Sequence, residues 1–403
     1  MSVEDHPLIA VADGARHVAL AALAETGPVH RITLPPDTPA WLITGFDEAR
    51  AVLTDARVVK AGAESTPTLR ALPREVATGL HHHMLTKNPP DHTRLRRLVS
   101  MAFTRRRIEA MEPQIQRICA ELLDDVVKRL DSGETVDLMT SFAYPLPIRV
   151  ICELLGIAPG DHGRMREWTR VVLADSAVDF DHFVASSQEL LAFLQEQVAA
   201  KRRAPGDDLL SALAGARDGD DRLSEDELTS MAALLILAGH ETTVNQIGNA
   251  VAGLLTHPEQ LVRLRAEPDR MAAAFEEALR HDSATQVTIP AVTAAEVEVA
   301  DTVIPAGELL LVSLLAANRD ARRFPAPAAL DITRSGDTHI AFGHGIHHCL
   351  GAPLARLEGQ IALKALLDAV PDLELAARAD RLERVPSLLI NGLVSLPVRR
   401  RVD

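Results

Sequence analysis

The chain has 403 residues, 47% of them hydrophobic and 24% charged, which is enough apolar material for a large buried core. Its formal net charge of −14 argues against a general binder of nucleic acid or of anionic membranes. Three widely spaced cysteines, Cys119, Cys152 and Cys349, exclude a disulfide framework and are too few for a typical iron–sulfur cluster.

The first residues show no basic stretch, long apolar core or small-residue cleavage site. The longest apolar run, Met231 to Gly239, falls far short of the roughly 18 residues a membrane span needs. A cytoplasmic monomer without a membrane anchor is expected. No linker, repeat or low-complexity run divides the chain, so residues 1–403 are expected to form a single large domain.

In chain order, alternating stretches near 29–34 and 40–44 predict strands. Residues 56–90 hold few helix-forming runs and predict a long connection; its His81-His82-His83 is either a metal binder or a solvated stretch. A 3.6-residue spacing predicts helices over Glu109 to Leu130, Leu138 to Leu155, Phe183 to Lys201, Ser224 to Thr256 and Pro268 to His281. Further strands are predicted near 295–312 and 386–398, with irregular chain over 318–348. The fold class is mostly α with small β-sheets.

The segment Phe342-Gly-His-Gly-Ile-His-His-Cys-Leu-Gly351 carries the strongest chemistry. Gly343 and Gly345 permit tight backbone geometry just before Cys349. A helical pattern follows, with Pro353 in its first turn and Pro371 ending it. Cys349 thus sits at a helix N-terminus, where exposed N–H groups and the dipole favour a thiolate. From the residues alone a small buried thiol remains open. Zinc on His344, His347, His348 and Cys349 fits poorly, because adjacent ligands do not match the usual spacing.

Ser224 and Glu227 form a capping-box pattern, and the helix they open would run about 48 Å. Its apolar run is broken by Gly239-His240-Glu241-Thr242-Thr243. An interior glycine and an unpaired carboxylate both cost stability, so the break suggests a functional site. The alternative is a glycine for close packing with Glu241 in solvent. Glu277 and Arg280 share a helix face, as would His92 and Arg96 after Pro89-Pro90-Asp91. The first pair reads as an ordinary ion pair, the second as two donors for a carboxylate. Arg94 and Arg97 read as a solvated basic face.

The cysteine segment resembles the haem-binding loop of cytochromes P450, F-x-x-G-x-[HR]-x-C-x-G, at Phe342, Gly345, His347, Cys349 and Gly351. Ala238, Gly239, Glu241, Thr242 and Thr243 resemble the family's A-G-x-[DE]-T-T, and Glu277 with Arg280 its E-x-x-R, with Arg334 as third member of that structural triad. The resemblance implies haem b (iron-protoporphyrin IX) between the long central helix and the cysteine-loop helix, with Cys349 as axial thiolate. Phe342, Gly343 and Gly351 shape its loop, and His92, Arg96 and His347 bind its propionates. It further implies that Gly239 leaves room for dioxygen, Thr242 steadies the reacting oxygen and Glu241 relays protons. The implied activity is monooxygenation, most simply hydroxylation, of a bulky apolar small molecule in secondary metabolism.

Ferredoxin and ferredoxin reductase are the implied electron donors, docking on Arg94, Arg97, Arg105, Arg106 and Arg107. Epoxidation, ring coupling or desaturation, and a haem-free partner protein, are the rival readings; retention of Cys349, Glu241 and Thr242 counts against the last. Substrate contacts are expected from residues 60–85, Leu234 to Ala238, Val287 to Val292 and Leu388 to Gly392. Three positions depart from the family pattern. Ala291 sits near where relatives carry a propionate-binding arginine, His348 replaces a frequent phenylalanine, and Asn391 a frequent arginine.

Overall fold

The structure is a computed structural model that describes residues 8, 14–34, 37–61, 71–173, 179–335 and 338–401. Their contacts group into two compact units, one of residues 1–59, 119–145 and 242–403, the other of residues 60–118 and 146–241.

The first unit holds the sheets that flank the cysteine segment. Five strands are ordered Val29–Leu34, Thr38–Ile43, Leu309–Val312, Ala291–Thr293 and Val58–Lys60. The first two are antiparallel with Val29 opposite Ile43, and Leu310 lies parallel beside Trp41. The run Leu309-Leu-Leu-Val312 is apolar throughout because it is buried on both faces. Leu310 and Val312 enter a cluster with Phe46, Val52 and Phe324, whereas Leu311 enters another with Leu20, Leu42 and Leu315.

The strand expected near 386–398 is reduced to Pro397–Arg400, which pairs with Leu373–Leu375 and Val136–Asp137. Upstream, side chains replace the ladder. Arg16 donates to the carbonyls of Ile390 and Val385, and Gln286 to those of Ser387 and Leu388. With its carbonyls satisfied this way, the segment makes only isolated bridges.

The second unit is helical. Phe180–Arg203 packs against His162–Val172, Leu209–Gly215 and Arg74–His81. The last of these lies in the stretch expected to be a connection. Its buried Val76, Gly79 and Leu80 form one face, and tertiary packing makes a helix of a run with weak intrinsic preference. The helix expected over Leu138 to Leu155 is divided. The Tyr144 N–H reaches back five residues to Met139 O, and a regular helix runs only from Pro145 to Leu155. Proline has no N–H to continue the ladder.

The long helix is Glu225–Thr256. Its capping box is formed as expected: the Ser224 N–H donates to Glu227 Oε2 at 2.9 Å, and the Glu227 N–H to Ser224 Oγ at 3.2 Å. No helix among the described residues is long and apolar enough to cross a membrane.

Candidate active site

Gly343 and Gly345 both adopt left-handed backbone, φ 73° and 72°, so the loop before Cys349 requires them. The Gly343 N–H donates to Ile340 O at 2.8 Å and the Cys349 N–H to Phe342 O at 2.9 Å, closing the loop. The helix Ala352–Ala369 begins three residues after Cys349, with Pro353 in its first turn. Cys349 is exposed, and a Cβ built on Gly351 would lie 3.8 Å from its sulfur. His347 is half-buried in the turn Gly345–His347.

Behind the loop stands Met271–His281. Glu277 accepts from Arg280 Nε and Nη2 at 2.8 and 2.7 Å, from the Asp331 N–H at 2.9 Å and from Arg334 Nε at 3.3 Å. The structure therefore brings Glu277, Arg280 and Arg334 together, and buries the first two. The surface ion pair that the spacing alone suggested is in fact a desolvated network. Glu276, which sequence reasoning passed over, faces the cysteine loop. It accepts from Arg356 Nε at 2.6 Å and pairs with His339 at 3.1 Å, and the Arg356 guanidinium covers the Phe342 ring at 4.5 Å. Burial raises the Glu276 carboxyl, but His339 and Arg356 outweigh it and hold the pKa down to about 2. Its adjacency to Glu277 was the available signal.

Gly359 permits the crossing of the Met271–His281 and Ala352–Ala369 helices, since a Cβ there would collide with the Phe275 ring. One residue earlier, Glu358 is buried and its Oε2 has no hydrogen-bond partner among the described residues. Burial raises its pKa well above the ordinary 4.5, so the folded protein carries this carboxyl protonated. The folded state then holds a proton that the unfolded chain releases above about pH 4.5. Stability should fall as pH rises from there toward the folded value. Glu358→Gln is expected to raise the melting temperature by several degrees near pH 8 and little near pH 4. An equal change at both values, read by calorimetry, would refute a buried neutral acid.

On the long helix, Leu235, Ala238, Gly239 and Thr242 are accessible while Ile236, His240 and Thr243 are buried. The spacing i, i+3, i+4, i+7 places Leu235, Ala238, Gly239 and Thr242 on one helix face, while Leu237 and Glu241, also partly accessible, lie four apart beside it. Gly239 also serves packing, since a Cβ there would lie 3.3 Å from Ile151 Cδ1. Both readings of that glycine are thus compatible with its surroundings. His240 Nδ1 lies 2.8 Å from Ile236 O, and burial lowers its pKa, so it is held neutral. The Glu241 side chain is 19% exposed, with Oε2 3.7 Å from His240 Nε2.

His92 and Arg96 lie on Asp91–Ala102, with His92 buried and Arg96 half-buried. Burial first, then the charges of Arg96 and Lys60, lower the His92 pKa. Arg94 and Arg97 are not a free solvated face. Arg94 pairs with Asp221 at 3.0 Å and with Glu227, and Arg97 pairs with Asp218. Arg105 pairs with Glu109 at 2.6 Å, which leaves Arg106 exposed without a carboxylate among the described residues.

Of the regions expected to touch substrate, residues 62–70 lie outside the described residues. Val287 belongs to the core, whereas Thr288, Ile289 and Pro290 are partly accessible. Asn391 is buried: its amide donates to Asp282 Oδ1 at 2.6 Å, and Arg384 holds Asp282 Oδ2 at 2.8 Å. Burial opposes the charge on Asp282, yet Arg384 and His17 keep its pKa well below the ordinary value. The smaller Asn391 therefore serves a network whose cation comes from Arg384. Ala291 is a buried strand residue.

These residues fit a haem with a thiolate ligand. An exposed thiol ends a glycine loop just before a helix start, the setting a thiolate ligand requires. A zinc site is not supported, because no group of three or more His, Cys, Asp or Glu side chains that could hold a metal ion occurs among the described residues. That also covers the three consecutive histidines, of which His83 is buried, with its pKa lowered to about 4 by burial.

The family model described as Cytochrome P450 matches residues 163–370. Cytochrome P450 107B1 of Saccharopolyspora erythraea is 46% identical over 390 residues, covering 95% of each chain. The 6-deoxyerythronolide B hydroxylase of the same organism is 44% identical over 387 residues and 94% of each chain. The solved bacillaene polyketide synthase cytochrome P450 PksS of Bacillus subtilis 168 superposes with a TM-score of 0.89 at 38% identity, over 96% of this chain and 97% of that one. Likeness of this order, in sequence and in fold along nearly the whole length, has one meaning: the chain belongs to the cytochrome P450 family of haem-thiolate monooxygenases.

Proposed function

We propose that this enzyme hydroxylates a bulky, largely apolar small molecule of the polyketide class. One atom of dioxygen enters a C–H bond, and the other leaves as water after uptake of two electrons and two protons. The observation that carries this reading is the accessible face of Leu235, Ala238, Gly239 and Thr242, interleaved with buried Leu234, Ile236, His240 and Thr243 in the middle of the long helix. One similar protein is named for hydroxylating 6-deoxyerythronolide B and another for a bacillaene polyketide synthase. With aromatics at only 3% of the chain, aliphatic pocket walls suit such a ligand.

Cys349 would ligate the haem iron through its thiolate, in the loop shaped by Phe342, Gly343 and Gly351. His92, Arg96 and His347 would bind the haem carboxylates, and Glu277, Arg280 and Arg334 hold the surrounding chain. When bound, the haem supplies dioxygen reduction and oxygen transfer, and a thiolate ligand favours O–O cleavage. Thr242 offers a hydroxyl on the accessible face, Gly239 and Ala238 leave room beside it, and the Glu241 carboxylate passes protons inward from solvent. Electrons come from a ferredoxin and its reductase. Because Arg94, Arg97, Arg105 and Arg107 already have carboxylate partners, Arg106 is the more open charge for an acidic donor.

The test supplies a ferredoxin, its reductase and isotopically labelled dioxygen to the enzyme with a panel of polyketide lactones. One labelled oxygen per product is expected. Thr242→Ala should keep consuming electrons but lose product roughly 10²-fold, releasing hydrogen peroxide. Products without label, or full product yield from Thr242→Ala, would overturn these assignments.

A further inference from the structure

Just past Thr242 the long helix carries three buried carboxamides, Asn245, Gln246 and Asn249. They meet two segments that lie far apart in sequence. Gln246 Oε1 accepts the Ala284 N–H at 2.9 Å. Asn249 Nδ2 donates to Asp282 O at 3.1 Å and to Asn391 O at 2.8 Å. Gly392 comes so close that a Cβ on it would collide with the Asn245 side chain. The two segments are also joined to each other: the Asn391 N–H donates to Ala284 O at 2.7 Å, and the Gln286 N–H to Leu389 O at 2.9 Å.

Gln246 follows Thr242 by four residues, one turn further along the same helix face. The segment it holds runs on to the partly accessible Thr288, Ile289 and Pro290, and the second segment presents Leu388, Leu389 and Ile390. Beyond Ala284 the Thr288 N–H donates to Val312 O at 2.9 Å, which ties that end to a strand. The Ala284 end is tied instead to the helix that carries Thr242. Gln246 Nε2 is buried without a hydrogen-bond partner among the described residues, so the oxygen is what this side chain contributes. Without that oxygen the Ala284 N–H would be stranded, and an unpaired buried donor costs more than its bond gains. The segment would shift to relieve that cost.

We propose that Gln246 is a positioning residue: through Ala284 it sets where the two segments stand relative to Thr242, and so how closely the enzyme fits a bulky ligand. The assignment rests on the reading of residues 288–290 and 388–390 as walls of the substrate pocket.

The experiment titrates the holoenzyme with clotrimazole and with the much smaller imidazole, both of which bind haem iron through a ring nitrogen, and follows the Soret shift. Gln246→Met keeps the side-chain length but offers no oxygen. It should bind clotrimazole roughly tenfold more weakly, the worth of one hydrogen bond, and imidazole within about twofold of wild type. Gln246→Glu keeps the acceptor and should match wild type with both azoles. Ile289→Ala and Leu389→Ala remove wall atoms directly and should also weaken clotrimazole. If these two weaken it and Gln246→Met does not, the role of Gln246 is overturned and the walls stand. If none of the three weakens it, both readings fall. If Gln246→Met alone weakens it, the walls are misassigned and the proposal falls with them. Equal losses for both azoles in Gln246→Met, or a Gln246→Glu variant as weak as Gln246→Met, would assign Gln246 to packing and also overturn the proposal.

Discussion

Glu277→Ala is expected to lower stability by about 3–5 kcal/mol, because it removes one partner of a buried ion pair. Arg280 is 2% and Glu277 4% exposed at the side chain. The Arg280 guanidinium also donates to the carbonyls of Asn318, Pro327 and Ala329 at 3.0, 2.9 and 2.9 Å. It is thus pinned, and cannot swing to water when its carboxylate is lost. The same variant frees Arg334 and the Asp331 N–H, so the segment leading to the cysteine loop loses its anchor. Urea unfolding followed by circular dichroism checks the magnitude. Glu277→Gln, which keeps the acceptor oxygen, should fall between the two. A loss below about 1 kcal/mol for Glu277→Ala would mean that the network is relaxed or hydrated, as surface pairs are.

Much of this molecule is legible from local pattern. Ser224 and Glu227 announce the start of the long helix, and the structure begins it at Glu225. The glycines and cysteine of the 342–351 segment give a loop and then a helix, because positive φ and a proline-led first turn are local demands. What local pattern does not encode is partnership. Nothing near Arg94 shows that its partners are Asp221 and Glu227, so a paired residue reads as a solvated one. Glu358 looks like any helix glutamate until tertiary packing buries it. The chain from Val385 to Asn391 alternates like a strand, yet Arg16 and Gln286, distant in sequence, take its carbonyls. Arg74–His81 becomes helical by docking on Phe180–Arg203, a cause outside its own eight residues.

Cys349→Ala has the other large effect expected, complete loss of thiolate ligation and of turnover. The remaining thiols cannot substitute. Burial raises both Cys119 and Cys152 to about 12, and only Cys349 is exposed. The account is tested most directly by the absorption spectrum of the dithionite-reduced protein under carbon monoxide, recorded for wild type, Cys349→Ala and Cys119→Ala. A strongly red-shifted Soret band is predicted for wild type and Cys119→Ala and none for Cys349→Ala. A wild-type protein that binds haem without the shift, or a Cys349→Ala variant that keeps it, would contradict the account.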